Sequence, residues 1–243
     1  MATLLYVDVL GVKARWISGG KAEAQHVFDS FRTYLMRAIS ELPQGDLVEG
    51  FIESDSAVFV CRTAHVAVTL GVSLYSEVFM QIRPNKDRFW LRGVITPLRD
   101  GTELRSERTI GDGAIREFMY SDPLLDAIAT EKSGVKGMRL LIKRSLVTKS
   151  LRTSFSFQVG NDDFIQFRKL THSSRPQTLF EKYEDVLWMI DADPAVWRRR
   201  EMAMASRLRW AVGSEEEFLQ AAATQVVFHE CSAIRADLER NVH

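Results

Sequence analysis

The stretch Leu4-Leu5-Tyr6-Val7-Asp8-Val9-Leu10-Gly11 places one carboxylate inside an otherwise apolar run. Residues 3–9 have the length and apolar density of a buried central strand. In such a strand a carboxylate has to be paired, protonated or bound to a cation. A second stretch, Phe51-Ile52-Glu53-Ser54-Asp55-Ser56-Ala57-Val58-Phe59-Val60, repeats the pattern. It reads as a hairpin with arms over 47–52 and 56–61 and Ser54-Asp55 at the bend. Two carboxylates on adjacent strands could share hard divalent cations with a triphosphate. Taken singly, Asp8 could be a strand aspartate accepting backbone hydrogen bonds, and Asp55 an ordinary turn aspartate.

The rest of the chain extends outward from these strands. Gly19-Gly20 breaks the chain, and 21–40 carries Val27, Phe31, Tyr34, Leu35, Ala38 and Ile39 at helical spacing. A second amphipathic helix is expected over 63–82, and a strand over 89–98. Gly111-Asp112-Gly113 then introduces an expected helix over 114–129, followed by a strand over 138–142. A hairpin is expected from 153–159 and 164–167 across Gly160-Asn161-Asp162-Asp163. From residue 179 the chain reads helical, over 179–190, 194–212 and 214–239, with Ser214-Glu215-Glu216-Glu217 as an acidic cap. Trp188, Trp197, Trp210, Phe218 and Phe228 are expected to be buried against the core or a partner subunit. The order βα, ββ, αβ, then helix and strand predicts an α+β fold. Its core is a ferredoxin-like, mainly antiparallel sheet with helices on one face, followed by a C-terminal helical extension.

These motifs, in this order, resemble those of class III nucleotidyl cyclases. The Asp8 stretch is similar to the first-strand motif of that superfamily, and Glu53-Ser54-Asp55-Ser56 is similar to the second, where a hairpin tip presents the other metal-binding aspartate. The Val7-Asp8-Val9-Leu10-Gly11 form, the small hairpin turn and the later Leu91-Arg92-Gly93-Val94-Ile95 strand are most like the pyrimidine cyclases of bacterial antiphage (Pycsar) systems. The likeness spans roughly residues 1–145. It implies a palm-type catalytic domain over 1–170 with an extension over 171–243, and two Mg²⁺ or Mn²⁺ ions held by Asp8, the Val9 carbonyl and Asp55. It further implies a homodimer with composite active sites and a separate effector activated by the cyclic nucleotide.

The implied reaction is attack of a 3′-hydroxyl on the α-phosphorus of the same nucleotide, with pyrophosphate leaving. The resemblance selects the substrate through Phe51. Purine cyclases carry a base-reading polar residue four positions before the second aspartate, and a phenylalanine cannot hydrogen-bond a base edge but can stack on a pyrimidine. The plain alternative is that Phe51 is core. UTP, giving cyclic UMP, is the expected substrate. CTP is the next reading, then a purine nucleotide, then a catalytically degenerate binding module. The Asn and Arg that the superfamily carries on the helix after the fourth strand have no match in 111–120 except Arg116. Arg92 and Arg116 are therefore the candidates for charge stabilisation, and Arg99 and Arg108 for the triphosphate.

Composition narrows the classes further. The chain has 243 residues, with 32 Lys+Arg balancing 32 Asp+Glu, so it lacks the basic excess of a nucleic-acid binder. No stretch has the length and apolarity of a membrane span, and no basic-then-hydrophobic leader is visible, so a cytoplasmic protein is expected. Cys61 and Cys231 lack metal-ligand spacing and are read as reduced and buried. The basic stretch Arg198-Arg199-Arg200 with Arg207 and Arg209 is read as the solvated face of a helix.

Overall fold

Strand β1 (Thr3–Leu10) runs through the middle of the sheet because both of its faces are apolar. In this computed structural model the described residues are 1–81, 89–98, 105–110, 113–118, 122–132, 136–159, 162–165, 167–169, 182–191, 193–210 and 215–240. After β1 come α1 (Val12–Ser40), the hairpin β2 (Leu47–Glu53) and β3 (Ser56–Cys61), α2 (Ala64–Phe79) and β4 (Trp90–Pro97). Next are β5 (Arg105–Ile110), β6 (Gly113–Phe118), α3 (Asp122–Lys132), β7 (Leu140–Lys143) and α4 (Lys149–Ser154). The chain continues through β8 (Ser156–Val159), β9 (Asp162–Ile165), β10 (Phe167–Lys169), β11 (Tyr183–Val186), α5 (Pro194–Trp210) and α6 (Glu215–Arg240).

Seven strands form one sheet in the order β10-β11-β7-β4-β1-β3-β2, antiparallel except for β4 and β7. The β4-β1-β3-β2 portion is the expected ferredoxin-like α+β core, two interleaved βαβ units. Strand alternation sends Leu5, Val7 and Val9 into a core with Phe31 and Leu35 of α1 and Leu70 and Leu74 of α2. The alternate residues Leu4 and Tyr6 join Val58, Val94, Leu141 and Tyr183 on the other face. There α3 supplies Leu124 and Ala127, so one helix takes the face opposite α1 and α2. Helix α1 includes the predicted break, since Gly20 has φ 75° inside it. Thr63 caps α2, its hydroxyl accepting from the Val66 N–H.

Three predicted readings differ in kind, and two elements differ in bounds: α1 begins at Val12 rather than at residue 21, and the hairpin arms are β8 and β9, from Ser156 and Asp162, because residues 149–154 form α4. The helix expected over 114–129 is instead the strand β6, paired with β5 so that Ile110 stands opposite Gly113, and the helix starts only at Asp122 with Pro123 as its first interior residue. Gly113 thus begins a strand, not a helix, and Gly111 and Asp112 lie outside the described residues. The helix expected over 179–190 is replaced, where described, by β11, an interior strand of the sheet. Its register resolves the ambiguity of a short, apolar-rich run. Glu184 stands opposite Ile142 and is bound by both Arg152 (2.8 Å to each oxygen) and Arg144 (3.6 Å), while Asp185 stands opposite Leu141 and is bound by Arg139 at 2.5 Å. Adjacent acids satisfied from opposite faces require the two-residue period of a strand.

The basic stretch of α5 is the third difference. Arg198, Arg199 and Arg209 are exposed, but Arg200 and Arg207 are buried. Arg207 donates to the carbonyls of Val78, Phe79 and Phe89 and lies 5.0 Å from the Trp90 ring centroid. Its guanidinium satisfies carbonyls at the end of α2 that have no partner within the helix. Of the expected tail aromatics, Trp188, Trp197 and Phe228 are buried while Phe218 is 60% exposed; the Trp210 side chain lies outside the described residues. Cys61 and Cys231 are free and buried, as expected.

Candidate functional site

The end of β1 is joined to the tip of the β2–β3 hairpin by one backbone bond. The Val9 N–H donates to the Asp55 carbonyl at 2.8 Å, one step beyond the Asp8–Ser56 pair of the β1–β3 ladder. Asp8 and Asp55 therefore stand at the same end of neighbouring strands, and both are half-buried. The turn that presents Asp55 is tight: Glu53 pairs with Ser56, leaving Ser54 and Asp55 as the bend. Ser54 takes φ 48°, a left-handed conformation uncommon for a residue with a Cβ, and its hydroxyl donates to Asp55 Oδ1 at 3.1 Å. Gly11, at φ 83°, then turns the chain from β1 into α1, where a side chain would be strained.

Register assembles the remainder of the site. Asp8 pairs with Ser56 of β3 on one side and with Arg92 of β4 on the other, and Ser56 pairs with Glu53. Paired residues share a face, so Glu53, Ser56, Asp8 and Arg92 form one row across four strands. Two residues further along, Phe51, Val58, Tyr6 and Val94 form the next row, with Phe51 half-buried against the apolar cluster of this face. The structure thus brings together Asp8, Val9, Asp55, Phe51 and Arg92. Arg108 and Arg116 lie on the β5–β6 hairpin, Arg116 on a strand opposite Glu107 and Arg108 opposite Ile115. Arg99 lies outside the described residues. Helix α3, the first described after β4, reads DPLLDAIATEK and contains neither Asn nor Arg.

Arg92 is 9% exposed. Burial pushes its pKa down, and Asp8 is the strongest opposing influence, followed by Tyr75, Tyr6 and Glu216. Gly93 beside it is tightly enclosed: a Cβ would meet the Tyr6 carbonyl and the Tyr75 hydroxyl at 3.0 Å, so those neighbours would have to shift. Tyr6 is raised above its ordinary range by burial first and Asp8 second, against a hydrogen bond with the Ser56 side chain. Tyr75 is also raised by burial, and its hydroxyl donates to the Arg139 carbonyl at 2.8 Å. That carbonyl also accepts from the Gly93 N–H at 3.0 Å, tying β4 to the start of β7.

The last helix closes this end of the sheet. Gln220 accepts from the Gly137 N–H at 2.8 Å and Thr224 from the Met138 N–H at 2.9 Å. Glu216 lies 3.6 Å from Lys136. Its pKa is lowered first by a hydrogen bond from Gln220, and also by Lys136 and Arg92, against a smaller opposing effect of burial. Sequence reading missed Glu53, Tyr6, Arg139 and Glu216 as neighbours of the site. The first two were accessible from the two-residue turn and the strand period, whereas the others depend on pairings far apart in the chain.

No group of three or more His, Cys, Asp or Glu able to hold a metal is present among the described residues. Two half-buried carboxylates at one end of neighbouring strands nevertheless suit Mg²⁺ or Mn²⁺, which bind through one or two carboxylates plus substrate phosphates and water. Among the described residues no helix is long and apolar enough to cross a membrane.

No family model matches the sequence, and no curated protein matches it. Among solved structures the chain is similar to the adenylyl cyclase CyaB from P. aeruginosa, with 11% identity and a TM-score of 0.49 over 79% of this chain and 95% of that one. It is similar to the monomeric guanylyl cyclase domain of the RhoGC fusion protein from the aquatic fungus Blastocladiella emersonii, with 10% identity and a TM-score of 0.48 over 76% and 94%. Adenylate cyclases from Trypanosoma brucei share 15% identity with a TM-score of 0.40 over 76% and 87%.

Proposed function

We propose that this protein is a pyrimidine nucleotide cyclase that converts UTP to 3′,5′-cyclic UMP and pyrophosphate. The observation that carries the reading is the Val9–Asp55 backbone bond, which sets Asp8 and Asp55 at one end of adjacent strands. Asp8, the Val9 carbonyl and Asp55 would hold divalent cations, whose contribution when bound is to favour the alkoxide and offset charge on the phosphates. The chain's own part is positioning. The two-residue turn fixes Asp55, the β1–β4 register fixes Asp8, and Phe51 walls the base without reading a purine edge. Arg92 and Arg116 are assigned to charge stabilisation, and Arg99 and Arg108 to the triphosphate. Catalysis is assigned to residues 1–170 and support to 171–243, of which β11 completes the sheet and α6 closes its end. A homodimer would complete the site with a second chain, and the product would act on a separate effector in a cytoplasmic antiphage response.

A second reading, nucleotide binding without turnover, is favoured by one observation: α3 carries neither Asn nor Arg. Both readings are tested by incubating the protein with Mn²⁺ and each of the four ribonucleoside triphosphates and separating the products. Cyclic UMP that falls by more than 100-fold in Asp8→Ala and in Asp55→Ala is expected. Cyclic CMP would reassign the base, a purine product would overturn the role given to Phe51, and binding without product would establish the second reading.

A further inference from the structure

Two arginines stand side by side on one face of the sheet, at the start of the parallel β4–β7 pair. Gly93 pairs with Leu140, so Arg92 and Arg139 precede matching positions. Arg139 has an acid of its own in Asp185, at 2.5 Å, with both side chains under one-tenth exposed. Arg92, equally buried, has Asp8 as its cross-strand partner. The carboxylate assigned to metal binding is therefore also the principal counter-charge of a buried guanidinium. A buried charge deprived of its partner is costly, and Asp8 cannot neutralise a divalent cation and Arg92 together.

From this juxtaposition we propose that Arg92 is the resident counter-ion of Asp8, and that a divalent cation gains Asp8 fully only when a polyphosphate arrives with it to balance Arg92. The inference rests on the metal reading of Asp8 given above. It assigns Arg92 a positioning role that precedes chemistry: it stands across from the Asp8 carboxylate in the resting site, and it biases the site against metal without substrate. The other groups around Arg92 do not remove the conflict. Tyr6 and Tyr75 are held neutral by burial, and Glu216 already engages Lys136 and Gln220. The row also explains why β4 places its arginine opposite Asp8, with a glycine next along the strand. Gly93 itself pairs with Val7 and faces the α2 side of the sheet, where Tyr75 and Leu140 pack against it.

The test is calorimetric titration of the full chain with MnCl₂ alone, free of phosphate. Wild type is expected to bind weakly, Arg92→Gln at least tenfold more tightly because the competing cation is gone, and Arg92→Lys close to wild type because the charge is restored. Binding abolished by Asp8→Asn but not strengthened by Arg92→Gln would overturn this inference alone. Mn²⁺ binding that Asp8→Asn leaves unchanged would overturn the metal reading of Asp8 and this inference with it. A second measurement needs no variant: the melting temperature of wild type with MnCl₂, with inorganic pyrophosphate and with both. A shift with both that exceeds the sum of the separate shifts supports the proposal, and a shift with MnCl₂ alone as large as that with both overturns it.

Discussion

Asp185 with Arg139 and Asp8 with Arg92 are two acid–arginine neighbours on the same face of one sheet, yet they belong to different classes of interaction. The first pair is sealed between β7 and β11, its side chains 4% and 8% exposed, its contact direct at 2.5 Å. The second has one buried member and one half-buried member, next to the exposed tip that carries Asp55. A sealed pair can only hold strands together. A half-buried acid can exchange its partner for a cation from solution, and that accessibility distinguishes a candidate ligand from a structural carboxylate of the same type.

The comparison is tested most severely by deleting the acids. Asp185→Ala strands Arg139 in the interior and is expected to destabilise by about 3–5 kcal/mol, read as a lower urea midpoint. Asp8→Asn is expected to cost less, about 1–2 kcal/mol, because Asp8 is only half-buried and water reaches its side of the pair, even as activity is lost. Equal costs for the two variants would erase the distinction between sealed and open pairs.

A smaller effect comes from the groups lying between and beside the pairs. Tyr75 responds to Arg92, Asp8 and Asp185, Tyr6 responds to Asp8, and burial holds both hydroxyls protonated beyond their ordinary range. Burial likewise pushes the Cys61 thiol up to about 12, with Asp46 adding to it. These groups ionise near pH 10 and about 8.5 in an unfolded chain, so above these values the native state binds more protons than the unfolded one. Stability is therefore expected to be insensitive to these groups below about pH 8.5 and to fall as pH rises towards 12. Urea midpoints at pH 7.5, 9 and 10.5 check the direction, and a midpoint that rises across this range would contradict the burial of the three groups.

The smallest effect is at the turn. Ser54→Gly is expected to relieve the left-handed backbone by about 0.5–1 kcal/mol. It should also weaken the hold on Asp55 by removing the hydroxyl bonded to it, so the melting temperature rises while Mn²⁺ binding falls slightly. A loss of stability would show that the Ser54–Asp55 bond outweighs the strain.

Local pattern made a large part of this molecule legible. The apolar run around Asp8, the two-residue bend at Ser54-Asp55 and the helical spacing before Ser40 each depend on neighbours within a few residues, and each element is found, the helix with an added stretch from Val12 ahead of the Gly20 break. The errors fall where distant residues decide the conformation. Tyr183–Val186 is a strand because β7 and β10 offer it ladder partners and because Arg139 and Arg152 reach its acids from opposite faces. Arg207 is internal because carbonyls at residues 78, 79 and 89 need donors, a demand invisible in a run of arginines on a helix. Arg116 sits on a strand because β6 finds a ladder partner in β5, with Arg116 opposite Glu107.

The order of residues alone settles that a carboxylate stands inside a central strand, that another stands at a hairpin bend, and that the fold is α+β. These follow from period, turn chemistry and the cost of burying charge, all of which act locally. Only the tertiary structure decides that Val9 binds the Asp55 carbonyl, that Arg92 lies across from Asp8, and that the last helix closes the same end of the sheet. Register, unlike period, is set by which strands meet, and partners in the β1–β4 ladder are separated by up to 94 residues, between Thr3 and Pro97.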